Sequence, residues 1–538
     1  NYLSSVNICP SLNRQRTMTR YKLVFVLTFV LLTQVLNYVS ALNILAIASL
    51  PLKSHYMAFQ TLFRELAIRG HSVTVINNFP EKNPLPNLKF ININAPINPF
   101  PGMSFFENIT SSFSHLKNFQ VHFTIGPMNV KQDCELFFSN KDVKSLRERG
   151  DKFDVIFVEQ FMSDCGLVYA AALYDAPIIG ITSHTMLPWS YSRLGVPFDI
   201  ASNAFYFSKS GTNPSVYQKV ESYLMNVYAN TIGLWQLHRY IYETFNKNLP
   251  NVELDVEQIA RDRMKMLFAY QHYSITGARL LAPQLLEIAG MHIGKPQPVP
   301  EDIEKFISSA KHGVVYVSFG SNLKSSTMSK NKMEQFILAF KKIPQKVLWK
   351  LEDPTLLVSN DNLLTSTWFP QLDILCHPNV KAFVSHGGML SISEAAHCGT
   401  PLVTIPFFGD QFSNSAAVTD SGLGTTIHFD DLNADNLAEA IKHLSSSENA
   451  YRKIIRFINA IFWTEYVARH TMAPPSLPST YNTWFKCSLL DVYSILILMV
   501  LVILSVVYLI FKLLKFVFTT FVNLFKSENK QKTKKKRS

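Results

Sequence analysis

The chain has 538 residues, 47% of them hydrophobic, enough for roughly two or three domains and a large core. Its formal charge of +12 sits at the ends: residues 1–40 carry +4 and residues 512–538 carry +8, which leaves 41–511 neutral. That distribution excludes a basic face for a phosphate backbone, so no nucleic-acid partner is expected, and it assigns the charge to targeting and tail segments.

In chain order, residues 1–17 read as sequence upstream of a start at Met18. Arg20 and Lys22 precede an apolar run, Leu23 to Leu36, and Val39-Ser40-Ala41 is a small-residue cleavage site, so 1–41 is expected to hold a signal peptide. An uncleaved anchor is the alternative, but the run is shorter than the ~20 residues a span needs. Two α/β halves follow. In the first, Asn43–Ser49, Val73–Asn77, Phe153–Glu159 and Pro177–Thr182 are short β-rich runs, and an amphipathic helix from about Met57 to Arg69 stops at Gly70. Strand, helix, strand in this order predicts a parallel unit. Residues 185–280 are rich in aromatics without clean strand period. They read as helical insertions, either lining a lipophilic acceptor pocket or forming a packed helical subdomain.

The Pro-rich stretch 294–300 reads as a linker between an acceptor-binding domain, 42–293, and a second domain, 301–490. There, Val314–Phe319, Val347–Leu351, Ala382–Ser385 and Leu402–Ile405 alternate with helices expected at about Lys330–Lys341, Leu390–His397 and Gln411–Asp420. Asn108-Ile109-Thr110 is a glycosylation acceptor sequon. Tyr493 to Phe511 carries no charge and predicts a transmembrane helix over 491–511, followed by a basic tail over 512–538. The positive-inside rule places that tail in the cytosol and 42–490 in the lumen. Cys134, Cys165, Cys376, Cys398 and Cys487 are an odd set without metal-type spacing. They are not expected to form a disulfide framework, and at least one thiol is expected to be free and buried.

The densest chemistry lies between Phe383 and Gln411. His386-Gly387-Gly388 ends one apolar run and opens a helix that carries Glu394, and Asp410-Gln411 ends the next run and opens another. Glycines let backbone approach a phosphate, and a helix N-terminus favours negative charge there. Gly320-Ser321-Asn322 is a similar turn, and Trp368 with Gln371 offers an indole face and an amide. Taken singly, each has an ordinary structural explanation as a turn, a cap or core. Ser54-His55-Tyr56 follows the first strand at the edge where a ligand would sit, and a neutral imidazole there can take a hydroxyl proton.

Together these segments resemble the animal membrane-bound UDP-glycosyltransferases, over residues 43 to about 445 and in the signal peptide, single C-terminal span and dilysine-like Lys535-Lys536 tail. The resemblance implies an α/β fold of two facing Rossmann-like domains (GT-B), and an enzyme, a hexosyltransferase, with the acceptor held in the first domain and UDP-sugar in the second. It implies that Trp368 stacks on uracil, with Gln371 positioning the nucleotide. Ser321, His386, Gly387, Gly388 and Asn414 approach the diphosphate, Glu394 binds the ribose, and Asp410 with Gln411 the sugar. His55 is the implied base. Its acidic partner is Glu159 when counted from the strand, or Asp164 when counted back from Cys165. The absence of an Asp-x-Asp pair fits the family's metal-independent chemistry. No metal or cofactor is expected, UDP-sugar being a co-substrate. The implied partners are UDP-sugar, a small lipophilic acceptor and the endoplasmic reticulum membrane, in a single-pass type I arrangement; a homo-oligomer fits the same reading. The alternatives are transfer to a membrane lipid and a non-catalytic UDP-sugar-binding relative. The chain departs from the family pattern after His470, where Thr471–Pro478 holds prolines that no regular helix accepts.

Overall fold

The computed structural model describes residues 41–95, 114–201, 203–356, 359–446 and 489–535. The signal segment up to residue 40, Asn108 and the proline-broken stretch after His470 lie outside them.

Two parallel sheets organise the chain. The first holds β1 (Asn43–Ala48), β2 (Ser72–Asn77), β3 (Leu88–Asn92), β4 (Val155–Glu159), β5 (Ile178–Thr182), β6 (Met264–Ala269) and β7 (Leu285–Glu287), in the order β3-β2-β1-β4-β5-β6-β7. The second holds β8 (Val314–Ser318), β9 (Lys346–Lys350), β10 (Leu363–Ser366), β11 (Val380–Ser385), β12 (Leu402–Thr404) and β13 (Gly424–Thr426), in the order β10-β9-β8-β11-β12-β13. Their central strands are almost wholly buried, as the NILAIA and VVYVS runs require. β1 lies between β2 and β4, and β8 between β9 and β11. At each of these places the chain runs outward on one side and returns on the other. That is the topological switch point, and ligands bind beyond the C-terminal ends of the strands there.

Three helices stand at these strand ends. In α1 (Lys53–Ile68) Tyr56, Phe59, Phe63 and Ala67 recur at helical spacing and are buried, and the helix begins four residues before the expected Met57. α2 (Met389–Cys398) and α3 (Gln411–Asp420) follow β11 and β12. The two halves share one apolar cluster. Tyr56, Phe157, Ile181 and Tyr270 of the first half pack in it with Tyr316, Phe369, Phe383 and Met389 of the second. The linker 294–300 has neither helix nor strand.

The 185–280 region departs from expectation. It holds helices at Val216–Tyr228, Leu234–Asn248 and Val256–Arg263, with a π-helical turn at Ala229–Gly233, but Met264–Ala269 adds a strand to the first sheet. That strand exposes Lys265, which breaks the apolar run by which a buried strand is recognised in sequence. From Leu490 a helix runs to Lys535, and its first 34 residues, Leu490–Asn523, are long and apolar enough to cross a membrane, with a mean hydropathy of 3.1 over an 18-residue window. Its first turn packs on the helix Val216–Tyr228: Lys219 Nζ meets Asp491 Oδ2 at 3.1 Å, with both side chains buried, and Tyr223 touches Tyr493.

The cysteine expectation is corrected. Cys134 pairs with Cys165 and Cys376 with Cys398, at Cα separations of 5.3 and 4.5 Å. Sequence separations of 31 and 22 residues carry no sign of this, because helix packing brings each pair together. Loops of this length are worth about 3 kcal/mol each in the chain-entropy account. A chain beginning at residue 42 is therefore expected to expose one reactive thiol, that of Cys487, in denaturant, and five after reduction. Thiol titration before and after reduction checks the count, and reductant should lower the melting temperature.

Candidate active site

The two switch points face each other across a cleft of about 400 Å³. The first half lines it with Lys53, His55, His184 and Tyr206, and the second with Ser321, Lys350, Trp368, Gln371, His386, Gly388, Glu394, Asp410 and Gln411.

His55 stands in the first turn of α1, one loop beyond β1. Glu159 is the last residue of β4, the strand beside β1. The pairing brings His55 Nδ1 to 2.6 Å from Glu159 Oε1, with the side chains 16% and 4% exposed. A carboxylate only accepts, so Nδ1 carries the proton and Nε2 is left as the basic nitrogen. Phe161 and His184 pack around the imidazole, with ring centroids 4.8 and 5.7 Å away. Asp164, the other candidate partner, is not brought to His55. It precedes the helix Cys165–Leu173 and is bound by Arg193 Nη1 and Nη2 at 3.0 and 2.6 Å and by His238 Nε2 at 3.0 Å. Burial alone would raise its pKa, but the Arg193 guanidinium and His238 outweigh burial and hold the carboxyl well below its usual range. Arg193 also binds Glu257 at 2.6 Å, so the acidic charge of this buried knot is already countered by a cation of the chain itself.

In the second half, His386 leaves β11 and is enclosed by glycines. A Cβ on Gly320 or on Gly388 would stand 2.8 or 2.6 Å from its ring, so both positions exclude any side chain. Burial, and after it the Lys350 ammonium, push the His386 pKa down to about 4. The ring is therefore neutral near pH 7, and its buried Nδ1 has no partner among the described residues. α2 and α3 begin at Met389 and Gln411 without a side-chain cap. In α3 the Gln411 amide already donates to the Phe408 carbonyl at 3.2 Å, so the first amides of α2 and the later ones of that turn of α3 are what a ligand could take.

Gln411 Oε1 accepts from the amides of Phe407 and Phe408 at 2.9 and 3.1 Å, which fixes its orientation. Asp410 is half-buried, and desolvation raises its pKa; the Asn414 amide, donating to Oδ2 at 2.7 Å, and the nearby His55 oppose that rise. Asn414 itself does not line the cleft. Its amide also holds the Gly387 carbonyl, at 3.1 Å, so it braces the turn behind the expected phosphate position. Gly387, at φ +83°, likewise lies behind that lining. Glu394 accepts from Gln371 Nε2 at 2.6 Å. Trp368 is 59% exposed at the rim, with Lys53 Nζ 5.5 Å from its ring centre.

Lining or neighbouring residues that escaped sequence reading include Lys53, His184, Tyr206, Lys350 and His292. For Lys350 a signal existed, since it ends a strand at the ligand-bearing edge. For the others only tertiary packing reveals the role.

Paired parallel sheets, facing switch points and a shared cleft define a glycosyltransferase of the GT-B class. The family description "UDP-glucoronosyl and UDP-glucosyl transferase" matches residues 44–528, and the chain belongs to that family. It is 31% identical to UDP-glucosyltransferase 2 of Dactylopius coccus over 464 residues, 83% of this chain and 88% of that one. It is 27% identical to UDP-glucuronosyltransferase 1A6 of Oryctolagus cuniculus over 82% of this chain and 86% of the relative. In fold it is similar to Phytolacca americana UGT2, solved with UDP-2fluoro-glucose and pterostilbene, at a TM-score of 0.51 and 15% identity, over 77% of this chain and 93% of that one. The protein is a glycosyltransferase that moves sugar from a UDP-sugar to an acceptor.

His184 yields a pH prediction. It is buried, donates from Nδ1 to the Thr185 carbonyl at 2.7 Å, and burial with the neighbouring His55 pushes its pKa down to about 3. Its folded pKa lies below the unfolded value of about 6.5, so the stability tied to its neutral form is complete above pH 6.5 and is lost as pH falls toward 3. Between pH 7 and pH 5 the wild-type protein should lose about 2 kcal/mol more stability than His184→Gln, a difference readable from denaturant midpoints.

Proposed function

We propose that the protein transfers a hexosyl group to a hydroxyl of a small lipophilic acceptor, with inversion at C1 and without a metal ion. The observation that carries this reading is the His55–Glu159 pair at 2.6 Å, set in the cleft opposite Asp410 and Gln411. His55 Nε2 takes the acceptor proton while Glu159 holds the tautomer and stabilises the imidazolium that forms. The acceptor oxygen attacks C1, and UDP leaves from the opposite face.

Negative charge developing on the diphosphate is met by His386 as a neutral donor, by the uncapped N-termini of α2 and α3, and by Lys350. Trp368 receives the uracil, Ser321 with the Gly387-Gly388 turn the phosphates, Glu394 the ribose, and Asp410 with Gln411 the sugar hydroxyls. Asn414 acts behind them by fixing Gly387 and Asp410. The aromatic first half suits a lipophilic acceptor: Phe161, Tyr206 and Phe207 surround His55, His122 and His184. The apolar helix from Leu490 supports an endoplasmic reticulum anchor with the two sheets in the lumen, where Asn108 would be glycosylated and the role would be conjugation.

The test is transfer to a phenolic probe from UDP-glucose and, separately, from UDP-glucuronic acid. His55→Ala should abolish transfer while calorimetric UDP binding persists. Glu159→Gln, which keeps the shape and removes the charge, should lower kcat by about a hundredfold or more. Full activity of His55→Ala would remove the assigned base, and transfer confined to ceramide-like acceptors would favour a lipid-modifying enzyme.

A further inference from the structure

A carboxylate that is to grip two ribose hydroxyls needs both its oxygens held in direction. For Glu394 one oxygen is fixed from within the second half, by Gln371. The other, Oε1, meets His292 Nε2 at 3.2 Å. His292 lies between β7 and the linker, its side chain almost wholly buried. Its second nitrogen, Nδ1, bonds the hydroxyl of Tyr270. That oxygen also accepts from the Gly290 amide at 3.0 Å.

The protons in this chain can be placed. Glu394 only accepts, so His292 carries its proton on Nε2. The Tyr270 oxygen already accepts from the Gly290 amide, so its hydroxyl proton is free to be given to Nδ1. Burial, opposed by the Gly290 amide, raises the Tyr270 pKa, which keeps that hydroxyl protonated. Tyr270 is anchored in the first sheet, where its own amide donates to Thr182 at the end of β5 at 2.9 Å. The result is one directed path, from the first sheet through Tyr270 and His292 to the carboxylate on α2.

We propose that His292, oriented by Tyr270, is a positioning residue for the donor ribose that reaches Glu394 across the boundary between the halves. This rests on the reading of Glu394 as the ribose ligand. Because Tyr270 belongs to one sheet and Glu394 to the other, the ribose grip is complete only when the halves are seated together. Hydrogen bonds from an outer shell orient ligating carboxylates in the same way in metal sites.

Full-length protein in detergent micelles, titrated calorimetrically with UDP and with 2′,3′-dideoxy-UDP, tests the role. The wild-type protein should prefer UDP about tenfold, the worth of a hydrogen bond to a charged group. Glu394→Ala should bind the two alike. His292→Ala should shrink the preference to about threefold or less, and His292→Gln, whose amide can still donate to Oε1, should restore most of it. A residue that merely packs would weaken both ligands equally and leave the ratio intact. A wild-type ratio in His292→Ala, with the ratio lost in Glu394→Ala, overturns the positioning role. A wild-type ratio in Glu394→Ala overturns the ribose reading and this inference with it. Should His292→Ala fail to fold, Tyr270→Phe removes only the hydroxyl: a reduced ratio supports the path, and an unchanged one overturns it.

Discussion

The apolar contact between the halves is the constraint on which the site depends. Each sheet alone offers half of the chemistry at its switch point. Tyr56 and Phe157 lie one residue after His55 and two before Glu159, and both belong to the cluster that takes in Tyr316, Phe369 and Met389. The residues that seal the halves are thus chain neighbours of the residues that face the cleft. A shift in the seal would move the base relative to the donor site, and catalysis by orientation tolerates little of that. The same seal buries Tyr270, and so links the Glu394 carboxylate to the first sheet through His292.

Across the cleft, the site is built largely from neutral or internally countered groups. His386 and His184 are held uncharged by burial, while Asp164, outside the cleft lining, is charged but locked to Arg193 and His238. The cleft therefore offers a ligand hydrogen-bond donors and helix amides as well as cations. Such donors cost no reorganisation when charge develops. The glycines around His386 allow this crowding, because backbone takes the space that side chains would fill.

Much of the donor side was legible because it is local. Phe383 to Gln411 places its glycines, His386, Glu394 and Asp410 within a single strand-helix-strand-helix passage, and α3 spans the expected residues. His55 was legible from its place after β1. What failed was long-range. Glu159 and Asp164 could not be separated until β4 was seen to end at Glu159 and Asp164 to open the next helix. The two disulfides join helices that sequence spacing does not relate. β3, β10 and β13 are short strands with polar or small residues, LKFIN, LLTS and GTT, and carry no run to detect. His292 stands in a turn, without a motif, and acquires meaning only through partners 22 residues before it and 102 after it.

The docking of Asp491 on Lys219 has a topological consequence. The apolar helix follows the second half in sequence, yet it packs on a helix of the first. The second half is therefore tied to the first at both of its ends, by the linker at 294–300 and by the return to Asp491. A body held at two points can hinge but cannot drift. The entropy of finding its partner again after each opening is small, as in any short intramolecular closure. The membrane-length helix is thereby fastened to the half that carries His55, although it follows the other half in sequence.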